Sequence, residues 1–97
     1  MRTLELDGFT LQALSTGGIE SAYRVPKLRL LFDIGRCPPG SDRYSTLFLS
    51  HSHIDHCSGL PYYISLRSLK KMGPPTVYCP DECREDPQKM LQSWVPL

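Results

Sequence analysis

The chain has 97 residues and a formal net charge of +1 at pH 7, so it has room for one small domain. The near-neutral charge excludes a global field that would drive the whole chain onto nucleic acid or a membrane. Apolar runs of only a few residues exclude a membrane-spanning helix, and the N-terminus lacks the apolar segment of a secretory signal. We therefore expect a soluble cytoplasmic protein, with a nuclear or organellar location also open.

Short strands are predicted over the first third of the chain. Apolar-alternating runs at Thr3–Leu6 and Thr10–Leu14 are separated by Asp7-Gly8, which is a hairpin signal. The pattern resumes at Ser21–Val25 and Leu28–Ile34. The first five residues of the last run carry a single charge, which predicts an internal strand buried on both faces.

A strand, a helix and a further strand are predicted next. Thr46–Leu49 is a second buried strand, and the helix begins with Ser58 as N-cap and Pro61 in the first turn. Gly73 is expected to stop this helix before a strand at Thr76–Cys79. The side of the helix that faces the fold is predicted to comprise Leu60, Tyr63, Ile64 and either Leu66 or Arg67, extended by Leu69 and Met72. Strand, helix and strand at this spacing form a βαβ crossover, which implies a parallel strand pair and an α/β fold.

Charge is distributed unevenly along the chain. Between Ser21 and Lys71 there are eight basic residues against three acidic ones, an excess of five positive charges. This excess would suit a phosphate-bearing substrate, and an ordinary solvated face explains it equally well. The tail after Thr76 is more acidic and is weakly helical from Gln88 to Trp94.

The four cysteines are expected to be reduced thiols. Cys79 and Cys83 are spaced so that they could bind zinc, but Cys37 and Cys57 stand twenty residues apart and do not form the second pair of a structural site. A structural zinc module at the cysteines is therefore disfavoured against free thiols.

All three histidines lie within six residues, in the pattern His51-Ser52-His53-Ile54-Asp55-His56. The pattern stands where a predicted strand passes into a predicted helix, the edge where α/β proteins place their sites. His51 and His53 can share one cation, and Asp55 with His56 would serve a second. This ligand set suits Zn²⁺, and two such ions about 3.5–4 Å apart can hold a hydroxide between them. Histidines bonded to water in a polar loop are the alternative, which this clustering disfavours.

This pattern resembles the second motif of the metallo-β-lactamase superfamily, whose members are metal-dependent hydrolases with an αββα sandwich fold. The run Leu31-Phe32-Asp33-Ile34-Gly35 resembles the motif that precedes it. The resemblance implies that Asp33 orients a metal ligand from behind, although a plain turn carboxylate would look the same. It further implies that residues 1–97 form the N-terminal portion of one such domain, recognisable from about 11 to 80, with a mixed sheet.

The residues after the metal motif are similar to the ribonuclease Z branch, whose endonucleases trim the 3′ ends of precursor tRNA. The similarity rests on Cys57-Ser58-Gly59-Leu60-Pro61, on the glycine turn at Ser15–Gly18 and on the stretch Gly73–Pro80. It implies a phosphodiester hydrolase with two zinc ions, with manganese or iron also open, and Asp55 as general base. Phosphodiesterases of the same superfamily that act on other substrates are the alternative.

The ligands that complete the site in this superfamily come from later motifs. No histidine follows His56 in the chain, so those histidines are missing. We therefore expect the 97-residue chain to be inactive alone, either as a non-catalytic truncated chain or as a weak metal binder. The expected partner of the complete enzyme is precursor tRNA or another phosphodiester, without a membrane, and a homodimer of the full-length relative is also open.

Overall fold

The described residues form six strands that lie side by side in one mixed sheet, in the order of the chain. The computed structural model describes residues 1–51, 53–83 and 85–94. The strands are β1 (Arg2–Leu6), β2 (Phe9–Thr16), β3 (Glu20–Val25), β4 (Leu30–Ile34), β5 (Thr46–Phe48) and β6 (Thr76–Tyr78). The helices are α1 (Ile54–Cys57), α2 (Leu60–Leu69) and α3 (Glu85–Trp94).

The sheet combines an antiparallel half with a parallel half. Strands β1 to β4 pair antiparallel, whereas β4, β5 and β6 run parallel. The predicted hairpin at Asp7-Gly8 is confirmed: φ angles of 47° and 84° lie in the left-handed region that a two-residue turn requires. The crossover from β5 through α2 to β6 is confirmed as well, and with it the α/β class. The αββα sandwich stays an implication of the resemblance.

The core lies between the sheet and α2. Leu31 of β4 and Leu47 of β5 pack in one buried cluster with Leu60 and Tyr63 of α2. Burying a large apolar side chain contributes about 1.5–3 kcal/mol, so this layer is the main source of stability. The Tyr63 hydroxyl donates a hydrogen bond of 2.5 Å to the carbonyl oxygen of Tyr44, and burial raises the pKa of Tyr63 to about 12.

The opposite face of the sheet carries a row of stacked aromatic rings. Phe32, Phe48 and Tyr78 lie on adjacent strands with ring centroids 5.3 and 4.9 Å apart, and Phe32 is 41% exposed. The strand predicted from Leu28–Phe32 is internal to the sheet, between β3 and β5, but the expectation that it is buried on both faces is wrong. The core cluster that packs on α2 takes only one face of β4, and Leu28 lies in a 3₁₀ turn before the strand.

Two details of the predicted helix are also wrong. Ser58 is not the N-cap of α2, because its hydroxyl donates to the carbonyl oxygen of Gly35 at 3.1 Å and Gly59 precedes the helix without a side-chain cap. Leu69 and Met72 do not belong to the apolar face, since they are 79% and 39% exposed. A helical pattern gives the spacing of apolar residues but not the width of the face that the sheet covers.

The end of α2 is organised by a buried arginine. Arg67 is 4% exposed and donates hydrogen bonds to the carbonyl oxygens of Asp42, Met72 and Gly73 at 2.8, 2.9 and 3.2 Å. The helix ends before Lys71, whose φ of 57° already leaves the right-handed region, so Gly73 follows the helix end rather than stopping it.

The predicted helical tail is confirmed and begins a turn earlier than expected, at Glu85. Met90 and Leu91 of α3 pack at the border of the core, which anchors the tail against the rest of the fold. Among the described residues, no helix is both long enough and apolar enough to cross a membrane.

Candidate metal centre

The histidine pattern lies at the edge of the sheet where the parallel strands β4 and β5 end. Phe32 and Phe48 are partners in the register of these strands, so Asp33 and the residues after Phe48 leave the sheet side by side. The chain from His51 onward then turns into α1, which begins at Ile54. Ser52, inside the pattern, lies outside the described residues.

Asp33 is the hub of this edge. Its carboxylate is 4% exposed and accepts hydrogen bonds of 2.7 Å from the backbone nitrogen of Ser50, from the Ser50 hydroxyl and from Nδ1 of His56. Its φ of 59° is unusual for a residue in a strand and is tolerated best by aspartate, asparagine and glycine. Asp33 thus contacts the loop through Ser50 and His56, and its role in orienting a metal ligand stays a prediction.

This network fixes the tautomers of two histidines. Because Nδ1 of His56 donates to the carboxylate of Asp33, the neutral form of His56 carries its lone pair on Nε2. The Ser50 hydroxyl donates to Asp33 as well, so the 2.8 Å contact between Ser50 Oγ and Nδ1 of His51 has the histidine as donor. Both imidazoles therefore present Nε2 as an acceptor, the form in which histidine binds a metal.

The imidazole ring of His51 contacts the rings of both other histidines. The ring centroid of His51 lies 4.4 Å from that of His53 and 3.9 Å from that of His56. Nε2 of His56 lies 3.2 Å from Oδ2 of Asp55. Two acceptors at this distance repel each other unless a proton or a cation is shared between them. The donor set therefore suits a cation, and zinc is the borderline metal that imidazole and carboxylate ligands favour.

The four predicted ligands His51, His53, Asp55 and His56 lie side by side in the loop. They do not form a complete coordination site. Within residues 1–51, 53–83 and 85–94, no three His, Cys, Asp or Glu side chains are arranged to hold a metal ion. The residues fit zinc in donor type, in tautomer and in the support from Asp33. Their role as ligands remains a prediction.

The cysteine thiols are disfavoured as metal ligands. Cys37, Cys79 and Cys83 are free thiols, and Cys37 and Cys57 are buried. Burial raises the pKa of the Cys37 thiol to about 11 and also raises the pKa of Cys57 and of Cys83. Since a thiol binds zinc as thiolate, a raised pKa makes these groups poorer ligands.

Two residues of this edge were missed by sequence reasoning. Ser50 joins Asp33 to His51, and its only local signal is a hydroxyl directly before the first histidine. Gly59 lets the backbone after α1 approach the turn after β4: a Cβ there would lie 2.4 Å from the nitrogen of Cys37. Its own nitrogen donates to the carbonyl oxygen of Gly35 at 2.6 Å, which ties the loop to that turn.

Comparison with known proteins identifies relatives of the same kind in plants, whereas no protein-family model matches the chain. The chain is 41% identical over 91 residues to tRNase Z TRZ1 and 39% identical over 89 residues to the chloroplastic tRNase Z TRZ2, both of Arabidopsis thaliana. It is 44% identical over 82 residues to a nuclear ribonuclease Z of Triticum aestivum. These matches cover 94%, 92% and 84% of this chain but only 32%, 25% and 47% of the respective relatives. The predicted resemblance to ribonuclease Z is thereby confirmed: the chain is similar to the tRNase Z enzymes over most of its own length and spans between a quarter and about half of theirs.

Proposed function

We propose that this chain supplies the histidine-rich metal-binding motif of a ribonuclease Z-type endonuclease, which cleaves the phosphodiester at the 3′ end of precursor tRNA. The observation that carries the proposal is the Asp33 network, which engages Nδ1 of His56 directly and Nδ1 of His51 through Ser50, and so leaves Nε2 of both rings outside the network. The names of the relatives support RNA as the substrate class.

The four predicted ligands and Asp33 each have a role in this proposal. His51 and His53 would hold one zinc ion, and Asp55 with His56 would hold a second. When bound, the two ions would supply Lewis-acid neutralisation of the charge that develops on the phosphodiester and would acidify a water molecule. Asp55 would accept the proton of the attacking water as general base. Asp33 would keep the proton on Nδ1 of His56, so that Nε2 stays available.

A chimera tests this function in a complete enzyme. The 91 residues of Arabidopsis tRNase Z TRZ1 that match this chain are replaced by the corresponding residues of this chain. The chimera is expected to release the 3′ trailer from a precursor tRNA transcript. Asp55→Asn should lower this rate by about 100-fold or more, the range of a lost general base.

Asp7→Asn is the matched control for Asp55→Asn. Asp7 lies in the β1–β2 turn with a φ of 47°, which asparagine also adopts, and it is remote from the histidines in the chain. The control should cleave at the rate of the unmodified chimera. A folded, zinc-loaded chimera without activity would contradict the proposed function, and full activity of Asp55→Asn would contradict the role of Asp55.

For the 97-residue chain alone, we propose a non-catalytic, weakly metal-binding state as the second candidate. It is supported by the lack of a ready ligand group among the described residues and by the exposed aromatic row of Phe32, Phe48 and Tyr78. Elemental analysis of the purified, desalted chain distinguishes the two states. About two zinc ions per chain would contradict the weak-binding state.

The substrate class has its own alternative, a phosphodiesterase of the same superfamily that acts on smaller esters. The chimera can be assayed on bis(p-nitrophenyl) phosphate beside precursor tRNA. Efficient turnover of the small ester without cleavage of the tRNA would favour that alternative.

A further inference from the structure

A second cationic site lies away from the histidine loop. It is a cavity of about 500 Å³, which we call the arginine cavity, between the end of β3 and the segment before β5. The residues that define it are Gln12, Arg24, Arg29, Gly40, Arg43 and Tyr44. Three of these are arginines, and no lining residue is acidic. Three of the eight basic residues between Ser21 and Lys71 therefore line this cavity.

Arg24 is the residue that calls for an explanation. It is 9% exposed, and its Nε is buried without a hydrogen-bond partner among the described residues. Nη2 donates to the carbonyl oxygen of Pro39 at 3.0 Å, and the guanidinium lies 5.6 Å from the centre of the Tyr44 ring. A carbonyl dipole and a ring face do not neutralise a buried cation.

The buried carboxylates nearby in the chain are already paired with other bases. Asp42 forms an ion pair with Lys70, with Oδ2 and Nζ 2.8 Å apart. Glu20 forms one with Arg36, with Oε1 and Nη2 3.1 Å apart. No described carboxylate forms an ion pair with Arg24. The buried charge therefore lacks a counterion, and the exposed arginines Arg29 and Arg43 add positive potential at the same cavity.

We propose that the arginine cavity is a phosphate-binding subsite. A guanidinium presents a fork of N–H donors that matches phosphate oxygens, and a bound phosphate would supply the charge that Arg24 lacks. The Tyr44 ring offers a face for a base or sugar next to that phosphate. The phosphate could be free inorganic phosphate or part of an RNA backbone. The RNA source rests on the proposed function, whereas phosphate binding itself does not.

The position of the cavity supports a subsite separate from the metal centre. Arg24 pairs with Leu31 in the β3–β4 register, two residues before Asp33 on the same strand. A ligand in the cavity would therefore lie toward the start of β4, and the histidine loop lies at its end. A phosphate there would position a bound strand without contacting the predicted metal ligands.

Nitrogen-15 NMR of the full 97-residue chain, with a chelator present, tests the subsite without metal. Inorganic phosphate and a six-nucleotide single-stranded RNA are titrated separately at constant ionic strength. We expect saturable shifts of the Arg24 Nε–H and of the Gly40 amide. Saturation by phosphate as tight as by RNA identifies free phosphate as the ligand, and tighter binding of RNA identifies the backbone.

Substitutions at the exposed arginines keep the test independent of folding. Arg43→Gln should weaken binding by about tenfold, the loss of one charge-assisted hydrogen bond, and should lower the salt dependence of RNA binding by about 0.7 in log–log slope. Lys71→Gln removes the same charge outside the cavity and should leave the affinity unchanged. Arg24→Gln should abolish the shift of the Gly40 amide. If this variant does not fold, Arg29→Gln serves in its place and should weaken binding.

Two results would overturn the subsite. One is the absence of shifts at Arg24 and Gly40 with both probes. The other is an equal loss of affinity in Arg43→Gln and Lys71→Gln, which would reveal unspecific attraction by net charge. This measurement involves neither metal nor RNA cleavage. A negative result would therefore not affect the chimera test of the proposed function, and an inactive chimera would not affect the phosphate subsite.

Discussion

Replacing Asp33 by asparagine removes one charge and changes almost nothing else in shape. Asparagine tolerates the φ of 59° at this position, so the substitution adds no backbone strain. The carboxylate accepts three hydrogen bonds of 2.7 Å, two from Ser50 and one from His56. An amide offers one acceptor oxygen, and its NH₂ group, itself a donor, would face at least one of these donors without an acceptor between them.

The expected cost follows from these contacts. A hydrogen bond to a charged group contributes about 1.5–3 kcal/mol, and a buried donor left without a partner costs a further about 1–3 kcal/mol. Because the asparagine oxygen keeps part of the network, we expect Asp33→Asn to lower the free energy of unfolding by about 2–4 kcal/mol. Typical domains are stable by only about 5–15 kcal/mol, so the effect would be large.

Urea denaturation followed by far-UV circular dichroism measures this difference, with an unchanged m value as the sign of an intact folded state. Zinc titration of the same variant should give an affinity about 10–100-fold lower, since the two histidines lose their orientation. A variant within about 0.5 kcal/mol of the unmodified chain, the range of a neutral surface change, would refute the role of Asp33 as the hub.

Three further predictions concern the supporting structure. Gly59→Ala should destabilise the chain by about 2 kcal/mol or more in urea because its Cβ would collide with the Cys37 backbone, whereas Gly17→Ala, in open space, should be neutral; equal effects would contradict the close approach. The hydrogen-bonded ion pair with Lys70 lowers the pKa of Asp42. The pair therefore stabilises the fold fully above the ordinary carboxyl pKa, and this stabilisation is lost as the pH falls through the lowered pKa of Asp42. The stability difference between the unmodified chain and Asp42→Asn, measured in urea at pH 6 and pH 3, should therefore shrink at pH 3, and a constant difference would speak against it. With a pKa of about 11 and little exposure, Cys37 should resist iodoacetamide at pH 8 until urea unfolds the chain, as followed by mass spectrometry; rapid labelling of the folded chain would disprove its burial.

Local signals predicted most of the architecture. The Asp7-Gly8 turn, the alternating strands and the βαβ spacing depend on neighbours in the chain, and the structure confirms each of them. The width of the buried face was not predictable in this way. Leu69 is exposed. Arg67 is buried because carbonyl oxygens of Asp42, Met72 and Gly73 accept its hydrogen bonds, that of Asp42 from 25 residues away.

In the candidate site, too, local features were predictable from the sequence and contacts between distant residues were not. The four predicted ligands lie within six consecutive residues, so their proximity follows from the sequence alone. The contact of Ser50 with Asp33 and the contact of the Arg24 guanidinium with Pro39 join residues that are 17 and 15 positions apart. Such contacts carry no local pattern, and only the assembled sheet reveals them.

Calorimetric titration of the 97-residue chain with zinc tests the proposed metal centre most directly, using two variants that leave the Asp33 network intact. His53 is exposed and its ring contacts that of His51, so His53→Ala removes a predicted ligand at little structural cost. The double substitution Cys79→Ala with Cys83→Ala removes the rival thiol pair. Zinc binding is expected to be weakened strongly by His53→Ala and unchanged in the cysteine variant. Loss of zinc in the cysteine variant with full binding in His53→Ala, or no zinc binding by the unmodified chain, would contradict a metal centre in the histidine loop.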